Sequence, residues 1–217
     1  MKKIFLLLTV ITVLISAGGV ITRGAASKEL ILKNPDKTGG IPLMQALAKR
    51  QSSRSFAATP LTEQVLSNLL WAADGVNRPQ SNKRTAPTAM NNQEIDIYAA
   101  MADGTYLYNA KKHTLTLVID KDLRPLTGSQ GFVNKAPLNL IYVANIDKAA
   151  GGNREEKLIY AGADTGFIGQ NVYLYCASEG LSTVIRGWID KKALGKALGL
   201  KSSEEIILSQ TVGYPGN

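Results

Sequence analysis

The side chains best suited to acid, base and nucleophile work near neutral pH are almost missing from this chain. Among 217 residues there is one cysteine, Cys176, and one histidine, His113. No disulfide can close within one chain, a zinc site of His and Cys lacks its ligands, and any hydrolase triad would have to use His113. The sequence offers arginine and hydroxyl groups instead. In RQSSRSF, Arg50, Ser52 and Arg54 stand at alternate positions. If the chain is extended there, the three share one face and aim two guanidinium forks and a hydroxyl at one place, an anion clamp. If it is a helix end, they are a solvated terminus, where basic residues are favoured anyway. TAPTAMNNQ, from Thr85 to Gln93, collects proline, hydroxyl and carboxamide groups ahead of a strand. Such groups can read the edge of a heterocycle, and they also make ordinary strand-entry turns. With so few catalytic side chains, the chemistry is expected to come from a bound cofactor.

The formal charge of +8 needs one correction. Lys2, Lys3 and Arg23 precede residue 27, where there is no acid, so the remainder carries 22 basic and 17 acidic residues, or +5. The basic residues are scattered and aromatic content is 6%, which gives neither the stripe nor the stacking platforms of a nucleic-acid binder. A local anionic ligand accounts for the excess. The opening Lys-Lys pair, the apolar core Ile4 to Ile15 and the small residues after it have the order of an export signal over 1–26. Gly24-Ala25-Ala26 offers a cleavage site, and an uncleaved anchor is the alternative that would bring the chain to a membrane. Export to the periplasm is the expectation, and a lone Cys176 fits an oxidising compartment.

Residues 27–40 read as a linker and 41–217 as one domain, whose 45% hydrophobic content suffices for a core. Leu43, Met44, Leu47 and Ala48 recur at helical spacing after Ile41. A second helix is capped by Thr62, carries Val65, Leu66, Leu69, Leu70 and Ala73 on one face, and stops at Asp74-Gly75. The polar stretch 77–92 reads as a binding loop. EIDIYAAM, TYLYNA and HTLTLVID read as an antiparallel meander that places His113 on a hairpin arm in a structural role, with APLNLIYVAN as a further strand. The longest helix runs from Ala161 to Gly180. Its glycines at 162, 166 and 169 leave one face bare, for close packing inside the domain or against a second copy. A strand through LSTVIRGWID, a helix from Asp190, a capping box at Ser202 to Glu205 and a last strand IILSQTVGY complete an α+β chain without βαβ rhythm. GADTGFIG lacks the spacing and preceding strand of a dinucleotide fingerprint.

In this order, RQSSRSF, LLWAADGVNR, RTAPTAMNNQ, SQGFVNKAP, GFIGQNVYLYCASEGLSTVIRG and the closing LGL and VGYP resemble the FMN-dependent nitroreductase superfamily over residues 41–215. LLWAADGVNR and RTAPTAMNNQ also look like its branch of azoline-oxidising dehydrogenases. The resemblance implies a mostly antiparallel sheet flanked by helices in an intertwined homodimer, with two FMN sites built from both subunits. It implies that Arg50, Ser52 and Arg54 hold the flavin phosphate and ribityl chain, and that Pro87, Thr88, Ala89 and Asn91 pack on the flavin from the partner. Gln130 falls near the position for the pyrimidine edge. Ile185, Arg186 and Gly187 match the strand whose backbone amide donates to flavin N5, so no side chain and no metal need be catalytic. The implied activity is a ping-pong two-electron transfer from a donor such as NAD(P)H to a nitroaromatic or quinone. A dehydrogenase oxidising a small molecule or modified peptide, and a flavin-binding module without turnover, are the alternatives. Many members add basic residues near the C-terminus for the phosphate, whereas VGYPGN has none.

Overall fold

A computed structural model of the chain describes residues 28–216. The leader expected over 1–26 lies outside the described residues. Within the stretch read as a linker, β1 (Glu29–Ile31) adds an edge strand to the sheet. Two helices follow, α1 (Leu43–Lys49) and α2 (Glu63–Asp74). The polar stretch folds into a small hairpin, β2 (Val76–Arg78) and β3 (Lys83–Arg84), and a short turn of helix over Ala89–Asn91. The meander is β4 (Ile95–Met101), β5 (Gly104–Asn109) and β6 (Thr114–Ile119), then β7 (Leu138–Asn145). The long helix α3 (Arg154–Glu179), β8 (Ser182–Arg186), α4 (Lys191–Leu198) and β9 (Glu204–Gly213) close the chain. Seven strands form one sheet in the order β1-β6-β5-β4-β7-β9-β8, every pair antiparallel.

Both faces of this sheet are covered, which explains why APLNLIYVAN is buried almost throughout rather than alternating. On β7, Leu138, Leu140, Tyr142 and Ala144 point into the core beneath α2 and α3, together with Ile97 and Ala99 of β4. Ile141 and Val143, with Tyr98 and Ala100, point the other way into a smaller core closed by Leu194 and Leu198 of α4. The helix ends follow the local signals. Thr62 Oγ1 accepts from the Val65 amide and Asp190 from that of Ala193, while Gly180 takes the left-handed conformation (φ 69°) that stops α3. Helix α3 starts at Arg154, earlier than the apolar pattern suggests, because Asn153 caps it through the Glu156 amide and its first turns are solvated.

One expectation needs correction. Ser202 and Glu205 form no capping box, since the chain leaves a turn at residues 202–203 straight into β9, where pairing with β7 outweighs the local helix signal. The apolar positions of α1 do not turn inward: Leu43, Met44 and Leu47 are 61%, 75% and 43% exposed, and Ala46 is the buried residue. The bare face of α3 is divided. A Cβ on Gly169 would meet Ile185 Cδ1 at 2.7 Å, so α3 needs that glycine to approach β8, whereas Gly162 and Gly166 face open space. Ile159, Tyr160 and Phe167 beside them are exposed. No helix of the described residues is long and apolar enough to cross a membrane.

His113 is structural. It sits at φ 55° on the β5–β6 turn and hydrogen-bonds Ser67 Oγ through Nε2 (2.8 Å) and Tyr108 OH through Nδ1 (2.9 Å). Burial holds its pKa below the usual imidazole value, so the fold favours the neutral ring. The His113→Ala variant is expected to lose about 1–3 kcal/mol in urea unfolding at pH 8, by stranding two hydroxyl partners. Because a depressed imidazole pKa stabilises the fold above about pH 6.5, the gap between wild type and variant should shrink as pH falls below that value.

Candidate functional site

The segment 50–55 is extended beside the free edge of β8. The Ser53 amide donates to Thr183 O (2.9 Å), and Ser182 Oγ donates to Ser53 Oγ (3.1 Å). With Ser53 turned toward the sheet, Ser52 and Arg54 are left exposed, as period-two alternation requires. Tyr173 of α3 fixes the arrangement from below. Its hydroxyl accepts from the Ile185 amide (3.0 Å) and lies 2.8 Å from Ser52 Oγ, and the Arg50 guanidinium stands 5.4 Å from its ring centroid.

Arg50 and Arg54 line two recesses rather than one. Arg50 borders about 550 Å³ with Lys49, Tyr173 and Thr183. Arg54 borders about 600 Å³ with Phe56, Phe132 and Lys135, closed at one side by Pro215 and Gly216. Among the described residues no carboxylate lines either space. Among the described residues, Arg50, Arg54 and Lys135 take part in no ion pair. The surface is therefore attractive to an anion and internally uncompensated.

Of the three residues expected to present a backbone donor, Ile185 has its amide engaged by Tyr173. The Gly187 amide follows two residues on, past the last ladder pair, and makes no hydrogen bond among the described residues. Arg186 has a role that its place in the strand does not announce. Its side chain is 6% exposed and donates to Thr127 O (2.8 Å), Asn139 Oδ1 (2.9 Å) and, at 3.4 Å, Gln130 Oε1. All three acceptors are neutral, Nε has no partner, and burial lowers the guanidinium pKa to about 10. Gly128 is required at this point, since a Cβ there would overlap Arg186 Nη1. Gln130 is thus placed at the edge of the same cluster.

Pro87, Thr88, Ala89 and Asn91 lie elsewhere, against the N-terminal half of α3. Among the described residues no hydrogen bond joins them to Arg50, Ser52, Arg54 or Ile185. Met90, Asn91 and Gln93 all have positive φ (54°, 59° and 49°), a conformation costing L-residues about 1–2 kcal/mol each. The surroundings enforce it. The Ala89 amide donates to Asp164 Oδ2 (3.0 Å), the Gln93 amide to Thr88 Oγ1 (3.0 Å), and Arg84 Nε to Gln93 Oε1 (3.2 Å). Met90, 85% exposed, is held out at the tip. Strain retained in this way is typical of functional loops.

Lys135, Tyr173 and Asp164 escape a reading of the sequence. Lys135 lies within SQGFVNKAP, but nothing in that motif says it faces the same recess as Arg54. Tyr173 reads as one more core aromatic, and Asp164 as a polar residue on a helix.

Residues 47–214 match the nitroreductase family. A protein of Methanocaldococcus jannaschii assigned to the nitroreductases is 31% identical over 178 residues, covering 77% of this chain and 89% of its own. A crystal structure from Ralstonia eutropha, assigned likewise, superposes with a TM-score of 0.83 at 42% identity, over 87% of this chain and 90% of that one. A nitroreductase structure from Desulfovibrio desulfuricans in complex with FMN shares the fold, with a TM-score of 0.60 at 18% identity over 82% of this chain and 88% of that one. With an all-antiparallel sheet, a long glycine-bearing helix and an acid-free basic edge already in place, the match over most of the described residues is decisive: this chain belongs to the nitroreductase family.

Proposed function

We propose that this chain is an FMN-dependent oxidoreductase acting as a homodimer, with each site formed by residues 50–54 and the β8 edge of one copy and the Pro87–Asn91 loop of the other. Family membership supports the oxidoreductase role. The observation that carries the cofactor is the basic, carboxylate-free surface beside β8, with the free Gly187 amide next to it. A flavin mononucleotide needs cations for its phosphate and a neutral donor for its ring, and this donor set supplies both. Arg50, Arg54 and Lys135 would hold the phosphate end, with Ser52 as a hydrogen-bonding neighbour. Gly187 would donate to the ring nitrogen. The uncompensated Arg186 charge makes the adjoining space more favourable to negative charge.

The two-copy reading rests on what one chain leaves unfinished. Among the described residues no hydrogen bond joins the loop to the clamp, and apolar side chains are exposed on α1 and, beside the open Gly162 and Gly166, on α3. Bound FMN would supply two-electron transfer between a donor and an electron-poor acceptor such as a nitroaromatic or quinone, taken in turn in a ping-pong cycle. The chain's own task is to orient both partners and exclude water. The leader read over 1–26 extends the proposal to an exported, periplasmic protein. It also favours a second reading, in which a small molecule or modified peptide is oxidised and soluble NAD(P)H is not the donor.

Gel filtration of the purified protein should show a yellow dimer whose heat-released ligand has the absorbance and mass of FMN. The Arg50→Ala, Arg54→Ala double variant should stay dimeric and lose flavin, with affinity down about 100-fold or more from two charged hydrogen-bonding partners. Full retention would place the clamp elsewhere. Lys135→Ala should weaken FMN by about tenfold and leave riboflavin unchanged, because a lone ammonium reads the phosphate. An equal effect on both ligands would move Lys135 to the ring. Anaerobic reduction separates the two donor readings. Bleaching by NAD(P)H within seconds supports a reductase fed by nicotinamide, and bleaching only by an organic substrate supports the dehydrogenase.

A further inference from the structure

Glu94 precedes β4 and is 1% exposed; Asp164 on α3 is 2% exposed. Neither oxygen of Glu94 has a hydrogen-bond donor in another described residue, although its own backbone amide lies close enough to favour the carboxylate. The group that stands against it is the Asp164 carboxyl, within hydrogen-bonding reach. Two carboxyl groups can share such a space only by sharing a proton. The same Asp164 accepts the Ala89 amide through Oδ2, at the root of the loop with three positive-φ residues. A strained loop stays in place only while its anchors hold.

We propose that Glu94 and Asp164 form an acid pair in which Glu94 keeps a proton and donates it to Asp164, and that this pair positions the Pro87–Asn91 loop through the Ala89 amide. The proton leaves Asp164 free to accept from the backbone without facing a second buried negative charge. Loss of the proton puts two like charges together, and the relief is to open the loop from α3. Burial and the neighbouring Asp164 carboxyl hold the Glu94 pKa up to about 7, so the switch falls in the neutral range. The closed loop holds the proton more tightly than the open one, so raising pH from the ordinary carboxyl range up to about 7 favours opening.

Other charges face the same region. Asp74, at the end of α2, pairs with Arg84 at 2.9 Å, and burial raises its pKa to about 7 against that attraction. Arg84 in turn braces Gln93. Asp96 of β4 adds a further negative charge near Asp74. Ionisation of Asp74 strengthens its hold on Arg84 but is itself disfavoured by burial, so Asp74 also weakens the folded arrangement as pH rises toward 7, in the same direction as the acid pair. Glu94→Gln separates the two, because a carboxamide donates to Asp164 at every pH.

The effect on FMN rests on the proposed two-copy site, so the test reads the loop directly as well. Hydrogen exchange of the Ala89 amide, expressed as protection relative to its intrinsic rate, is followed from pH 5 to 8 in wild type and Glu94→Gln without added flavin. FMN affinity is titrated over the same range. Wild type should lose protection and FMN affinity as pH rises from about 5 to about 7, by up to about tenfold per pH unit, and level off above that. Glu94→Gln should remove the Glu94 part of this fall and leave only the shallower part that belongs to Asp74. Asp164→Asn, whose carboxamide accepts Ala89 and donates to ionised Glu94, should also remove the Glu94 part and guards against misfolding of one variant. Equal profiles in wild type and both variants would overturn the acid pair. If Ala89 protection follows Glu94 while no variant binds FMN at any pH, the acid pair stands and the flavin reading falls.

Discussion

The edge of β8 is the constraint on which this site depends. A strand at the end of a sheet exposes a row of backbone donors and acceptors that must be paired, solvated or given to a ligand. Here the row is assigned in sequence. Thr183 O takes the Ser53 amide, the Ile185 amide goes to Tyr173, and the Gly187 amide is left. The first contact lays the extended 50–55 segment along the edge. The second ties that segment to α3 through the Ser52–Tyr173 contact. Gly169 permits the approach of α3 to β8, so the glycine, the tyrosine and the basic residues solve one packing problem.

Charge follows from the same geometry. Five of the described acids are paired elsewhere: Asp74 with Arg84, Asp122 with Arg124, Glu29 with Lys112, Glu63 with Lys33 and Glu205 with Arg154. Around β8, Arg50, Arg54 and Lys135 have none, and Arg186 is buried among neutral acceptors. Burying a guanidinium without a counter-charge is costly, and three neutral hydrogen bonds only partly offset it. An anion bound nearby would offset more. Such a distribution favours a ligand over self-association by salt bridges, and it makes the modest overall charge a local quantity.

Much of the fold was readable where the signal is local. Alternation in EIDIYAAM, TYLYNA and HTLTLVID marks the meander, and Thr62, Asp190 and Gly180 mark helix ends because capping needs only nearby backbone. Ser202 and Glu205 show the limit: a correct local signal lost to ten residues of strand pairing. The face of α1 shows another, since amphipathic spacing tells that a stripe must be covered and not by which chain. Within the site, the extended course of residues 50–55 was legible, but not that Arg50 and Arg54 line two recesses rather than one. Lys135, Tyr173, Glu94 and Asp164 were not, because each acts through a residue dozens of positions away, joined by the sheet order and α3.

The two halves of the proposed site are held by opposite means. The clamp side rests on hydrogen bonds between a phenolic hydroxyl, a serine and backbone groups. The loop side rests on carboxyl groups, two of which titrate near 7. A helix connects them: Tyr173 and Asp164 both belong to α3, nine residues apart. Since α3 is fixed at Tyr173 by the sheet edge, a change at Asp164 is relieved by the loop and not by the helix. The strained conformations of Met90, Asn91 and Gln93 store the free energy that drives that relief. In a two-copy assembly the mobile wall then belongs to one subunit and the fixed wall to the other, so a proton on one chain would govern the closure of a site whose phosphate clamp lies on its partner.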